Sequence, residues 1–197
     1  MPDTGAPWNI PYVEAADLVS DWPADSLALA NAIDAGLDAA NVGIGSNVVS
    51  VVKTDTFSAS VALGASTTVT GLSLSFTPTS ATSKVLVLCQ ITGGRAAASR
   101  QYAALRAGGT LIDVGAAAGS RQQVGTGWGH ADTNATSGTF LMALHSPATT
   151  SAVTYDVVVS HSHTTTDTVY VNRGSTDADA ARTGRSSSII VAIEVAA

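Results

Sequence analysis

Two periods divide the chain. From Asp21 to Ala40 apolar residues recur every three or four positions, and from Phe57 onward they recur at every second position. In the first stretch Ala30, Ile33, Leu37 and Ala40 follow the 3-4-3 spacing of a coiled-coil seam, with Leu27 flanking it. Pro23 suits a first helical turn, Asp21 or Trp22 can cap it, and Asp25 sits where the helix dipole favours an acid. Asn41, Gly43 and Gly45 then stop the helix. A helix of about 18 residues spans about 27 Å and is marginal alone in water. So narrow an alanine-rich stripe needs partners, either the β-domain of the same chain or identical helices from other subunits; the latter is adopted here.

The second period predicts strands. Phe57, Ala59, Val61 and Leu63 alternate with polar neighbours, and Val69, Leu72, Leu74 and Phe76 form the next set. Gly71 breaks that alternation as a bulge would, and Pro78 ends it. Val85–Ile91 is apolar on both faces and reads as a central strand. Tyr102–Ala107 and Thr110–Val114 flank Gly108-Gly109, a two-residue hairpin signal that outweighs the helix propensity of the alanines from Ala96. Phe140–His145, Val153–His163, Thr168–Asn172 and Ile189–Val195 complete about nine strands. Ser/Thr/Gly turns at this spacing predict a mainly β chain: an antiparallel β-sandwich, jelly-roll-like, behind a short N-terminal helix in a trimeric bundle. Strands apolar on both faces, such as Val85–Ile91 and Ile189–Val195, also predict a sandwich face covered by a neighbouring subunit.

Composition narrows the function. Ala, Ser, Thr and Gly supply 34, 22, 24 and 18 of the 197 residues, and a net charge of −6 argues against binding nucleic acid phosphates. A single cysteine, Cys89, excludes an internal disulfide framework and a multi-thiolate metal site within one chain. No apolar run approaches the ~18 residues of a membrane span, so no membrane insertion is expected, and the start lacks the basic residues of a signal peptide. Residues 1–52 hold seven acids and no Lys or Arg, whereas the remainder holds eight acids and nine bases. The predicted organisation is an extended docking peptide at 1–22, a helix and Gly linker at 23–45, and a β-sandwich at 46–197. In the docking peptide Pro2, Pro7 and Pro11 prevent one continuous helix, and Trp8, Ile10 and Tyr12 are large side chains with no local core, as in a peptide that docks on a partner.

Catalytic chemistry finds little support. There is no G-x-S-x-G elbow and no phosphate-binding loop. Asp113, Asp132, Asp156 and Asp167 are the carboxylates a polysaccharide hydrolase would have to draw on, and Cys89 lies in the most apolar strand, where a structural thiol is expected. No catalytic residue is assigned, and no enzymatic activity is expected. For ligand contact, Arg121–Ser137 is the longest stretch without a strand pattern; Trp128, between two glycines and beside His130 and Asp132, could stack on a sugar ring while the polar groups hold its hydroxyls. The alternative is that Trp128 packs beneath its loop. His161 and His163 share one face of an extended strand, so their imidazoles would converge on a three-fold axis; alternatively the strand frays and the rings bond to the turn that follows.

The opening GAPWNIPYVEAADLVSDWPADSLALANAIDAGLDAA resembles the virion-anchoring segment of small fibre and minor structural proteins of tailed bacteriophages. The runs SKVLVLCQITG, QYAALRAGGTLI, FLMALHSPATTSAVTYDVVV, TVYVNRG and SSSIIVAIEVA are, in that order, similar to the distal β-sandwich of phage tail-fibre and receptor-binding proteins. The resemblance implies a homotrimer in the virion, bound to other virion structural proteins by its N-terminus and displaying its β-domains around the same axis, without a shaft. It implies attachment to a host cell-surface glycan, or else purely architectural decoration of capsid, collar or tail. Fibre needles of this class also hold metals at His-x-His sites, which would place a transition metal between His161 and His163 of three chains.

Overall fold

A computed structural model describes residues 26–33, 47–94, 99–129 and 132–195. The chain divides into two compact units, Met1–Ser46 and Asn47–Ala197. In the first, residues 26–33 form helix α1, on which Leu27, Ala30 and Ile33 are exposed. Trp8, Ile10, Tyr12, Leu37 and Ala40 lie outside the described residues.

The second unit is built from eleven strands: β1 (Val48–Lys53), β2 (Phe57–Val61), β3 (Thr67–Phe76), β4 (Lys84–Gly93), β5 (Gln101–Ala107), β6 (Thr110–Ile112), β7 (Thr126–Trp128), β8 (Ser137–His145), β9 (Val153–His161), β10 (Asp167–Val171) and β11 (Ser188–Val195). One sheet runs β1-β11-β4-β8 and the other β3-β9-β5-β6, with β7 also on β5. Strands β6 and β7 lie end to end along one edge of β5, opposite 105–107 and 101–103 respectively. The sheets alternate along the chain in the manner of a jelly roll, which closes two Greek keys face to face. Strands β2 and β10 pair separately as a small antiparallel ribbon.

The core lies between the two large sheets. Val85, Val87, Cys89 and Ile91 of β4, with Ile190 and Ala192 of β11, meet Leu72, Leu74 and Phe76 of β3 and Tyr155, Val157 and Val159 of β9. Each strand contributes alternate residues, because side chains point to opposite faces with a period of two. Cys89 is fully buried in this layer, and burial pushes its thiol up to about 12. That makes it a packed apolar side chain rather than a nucleophile.

Local signals act where expected. Gly108 and Gly109 both take positive φ, 55° and 84°, and turn β5 into β6 with Ala107 opposite Thr110. Gly71 has φ 81°, and the register of β3 on β9 shifts between Thr68 and Ser73 around it.

Two strands were not anticipated. β1 carries valines on both faces, so alternation is lost, and β7 is three residues long inside a polar loop. β9 also ends at His161 rather than His163.

Candidate functional site: the outer face of the β1-β11-β4-β8 sheet

One face of each sheet makes the core, so the opposite face shows what the molecule offers to others. On the β3-β9-β5 sheet that face carries Thr68, Ser73, Ser75, Thr154 and an ion pair, with Ala104 and Val158 buried on the same side. Arg106 grips Asp156 through Nε and Nη2, at 2.7 and 2.9 Å, and Nη2 also donates to Thr68 Oγ1 at 2.6 Å. The carboxylate hydrogen bond raises the Arg106 pKa further.

The other sheet reverses this. Its cross-strand register aligns three rows of outward residues: Val48, Ile193, Leu86 and Leu144; Ser50, Val191, Leu88 and Met142; and Val52, Ile189, Gln90 and Phe140. Ten of these twelve are apolar, and none is charged. Phe140, Met142 and Leu144 are each 56% exposed, and Val52 is 55% exposed. The one amide in the grid, Gln90, donates to Thr92 Oγ1 of its own strand at 2.7 Å.

Strand spacing makes the grid about 14 by 14 Å between its outermost Cα atoms, and on the order of 400 Å² once side-chain width is added. That is about half of what one partner contributes to a stable protein interface, and the largest apolar patch on a monomer, when of this size, is often functional. The strands that form its centre are the two that the sequence shows as apolar on both sides. The sandwich satisfies one side of them only.

The residues singled out from the sequence for ligand contact do not assemble into a site. Trp128 is 6% exposed and belongs to the core, and its indole N–H donates to the Gly94 carbonyl at 3.3 Å. It cannot stack on a sugar, because its strand turns the ring inward, against the backbone of Gly93. His130 lies outside the described residues. Asp132 Oδ1 accepts from the backbone N–H and the side-chain amide of Asn134, at 2.8 and 3.0 Å, and so shapes its own turn.

The paired-imidazole reading is likewise corrected. His161 is 1% exposed, and its Nε2 lies 2.6 Å from the Val61 carbonyl, an acceptor, so Nε2 carries the proton. Its Nδ1 accepts from the His163 backbone N–H at 3.1 Å, which leaves neither nitrogen for a metal. His163 has left the strand, and its Nδ1 meets the hydroxyl and N–H of Thr165 at 3.1 and 3.4 Å. The two rings therefore serve the β9–β10 turn instead of converging. Among the described residues no group of three or more His, Cys, Asp or Glu side chains is placed to hold a metal.

Other carboxylates are also engaged. Asp167 accepts from Ser99 Oγ and from the Thr168 N–H, at 2.9 and 2.8 Å. Asp177 lies 2.8 Å from Arg185 and 3.5 Å from Arg173, and the Arg185 hydrogen bond holds its carboxyl below the usual range. Among the described helices none is long and apolar enough to cross a membrane. No family model matches the chain, and no curated protein sequence matches it.

Proposed function

We propose that the chain is a non-enzymatic structural protein of a bacteriophage virion, a homotrimer anchored through its N-terminal segment and displaying the β-sandwich for host-surface attachment. The observation that carries this reading is the apolar outer face of the β1-β11-β4-β8 sheet. Such a face exposed to water costs free energy in proportion to its area, and covering it with a second copy recovers that cost. A contact in which this face meets a different surface of the next copy gives a ring where the rotation between copies closes, and three is the number that the helix seam and the phage resemblance favour. The inward Trp128 removes one argument for receptor contact and favours a second reading, purely architectural decoration of the particle.

Sedimentation equilibrium of the full chain tests the assembly. A trimer is expected at micromolar concentration. Met142→Lys should release monomers, because it places a charge between Phe140 and Leu144 on the exposed β8 side of the grid without touching the core. A monomeric parent chain, or a Met142→Lys variant that remains trimeric, would remove the support this face lends.

A further inference from the structure

Outward residues of a sheet are exposed unless something covers them. Ala104 on β5 and Val158 opposite it on β9 both point away from the core, yet they are 3% and 4% exposed. Ser160, two residues along β9 on the same side, is 5% exposed. They floor a cleft of about 200 Å³, bounded by the turn at 64–66 and by residues 121–124 of the β6–β7 loop. The loop is fixed there from several sides. Gln122 Nε2 donates to the His161 carbonyl at 2.8 Å, Gln123 Nε2 to the Gly115 carbonyl at 2.9 Å, and the Gly125 N–H to the Ala103 carbonyl at 3.0 Å.

Three features of this cleft point to a ligand. First, Ser160, a hydroxyl-bearing residue that is nineteen-twentieths buried, is among those that line it. Second, Arg121 stands at its edge with only a long 3.4 Å bond to the Ala118 carbonyl, and no carboxylate among the described residues reaches it. Arg106, Arg173 and Arg185 each hold an aspartate, whereas Arg100 and Arg182, like Arg121, make no ion pair among the described residues. Third, Gln122 spends one side-chain N–H on β9 and Gln123 one on its own loop, so the amide oxygens of both remain as acceptors. A guanidinium without a carboxylate matches a carboxylate on a ligand. Hydroxyl and amide groups around a small apolar floor match ring hydroxyls and a ring's C–H face. The volume is below that of sites for drug-sized molecules, so it fits about one ring.

We infer that this cleft binds a single carboxylated sugar residue, of the uronic-acid kind, at the end of or within a surface glycan. The inference rests on the host-attachment reading and gives it a site. The cleft is on the sheet opposite the apolar face.

The test is an NMR titration of the isotope-labelled full chain with sodium D-glucuronate and D-galacturonate, with D-glucose, D-galactose and sodium acetate in parallel. The uronates should bind at least about ten-fold tighter than the neutral sugars and than acetate, moving the amides of 64–66, 121–124 and 158–160. Arg121→Gln should abolish the preference for uronate over neutral sugar, Ser160→Ala should weaken both uronates, and Arg182→Gln, on an exposed loop elsewhere, should change neither. Equal binding of neutral and acidic sugars, acetate as good as uronate, or an Arg121→Gln variant that behaves like the parent would each overturn the proposal. Sedimentation of the same samples separates the two readings. A trimer that binds no uronate loses the cleft but keeps the architectural reading, whereas a uronate-binding monomer keeps the cleft and loses the assembly.

Discussion

Glu194 shows how a single side chain can tie three segments together at one end of a sandwich. It is 3% exposed on the inner side of β11. Its oxygens accept from Thr79 N–H and Oγ1, at 2.8 and 2.7 Å, and from Asn47 Nδ2 at 2.9 Å, tying the β3–β4 turn and the start of β1 to the closing strand. Burial pushes its carboxyl up, but the combined hydrogen bonds from Thr79, Asn47 and Ser83 outweigh burial and hold it at about 2. In the unfolded chain the group titrates at 4.5, so between these values the unfolded state binds more protons. The stabilisation is therefore complete above about pH 4.5 and is lost as pH falls towards 2; its size is about 3 kcal/mol. Glu194→Gln, which sets an amide against the donors of Thr79, Asn47 and Ser83, should lower unfolding stability by about 2–3 kcal/mol at pH 7. At pH 2.5 the difference from the parent should shrink to about 1 kcal/mol, as measured by urea unfolding at the two pH values. A gap independent of pH would mean that packing, not charge, is what the residue supplies. Nothing in the run IIVAIEVA separates this inward glutamate from a solvated one at a strand end, because its donors come from residues more than a hundred positions away.

At the scale of elements, turn chemistry was legible and the edge strands β1 and β7 were not. The Gly108-Gly109 hairpin, the Gly71 bulge and the central position of β4 all follow from local residues: positive φ, a broken alternation, and a strand apolar on both sides. Strand β1 was hidden because VVSVVK has no clean period, and its identity depends on pairing with β11 at the far end of the chain. The bulge supplies a test of its own. At Gly71 a side chain would have to accept φ 81° and sit 3.3 Å from Lys53 Nζ, which is itself buried and paired with Asp55 at 2.8 Å. Gly71→Ala should cost about 1–2 kcal/mol in thermal or chemical unfolding. Gly64→Ala, at φ 80° with open space around it, should cost less. Equal costs would show that Lys53 yields freely and that only the backbone matters.

For the whole molecule, the distribution of surface character is the informative feature: one sheet presents an uncharged apolar grid, the other a polar face with a cleft. Under the proposed function the first unit carries the attachment to the particle. Removing residues 1–22 should leave the second unit folded, since its core draws on residues from 49 onward. Virion incorporation, scored on purified particles after complementing a phage that lacks the chain, should then be lost. Trp8→Ala with Tyr12→Ala should weaken it more than Asp3→Asn with Asp17→Asn, because desolvated aromatics dominate interface energies while charges chiefly speed encounter. Normal incorporation of the truncated chain would assign the contact to the helix or the sandwich instead.

The period-two pattern, the glycine turns and the doubly apolar strands were enough to determine a mainly β sandwich with an uncovered face, because strand periodicity and positive-φ turns are properties of neighbouring residues. Which face that was, and what stood on it, depended on register: Val48, Ile193, Leu86 and Leu144 form a row only through pairings that cross the chain. The fate of polar and aromatic side chains was decided in the same way. Trp128 turned inward because β7 joined the edge of β5, and His161 lost both nitrogens to backbone groups, one of them a hundred residues away. Local pattern sets what a residue can do; long-range pairing sets which partner reaches it first.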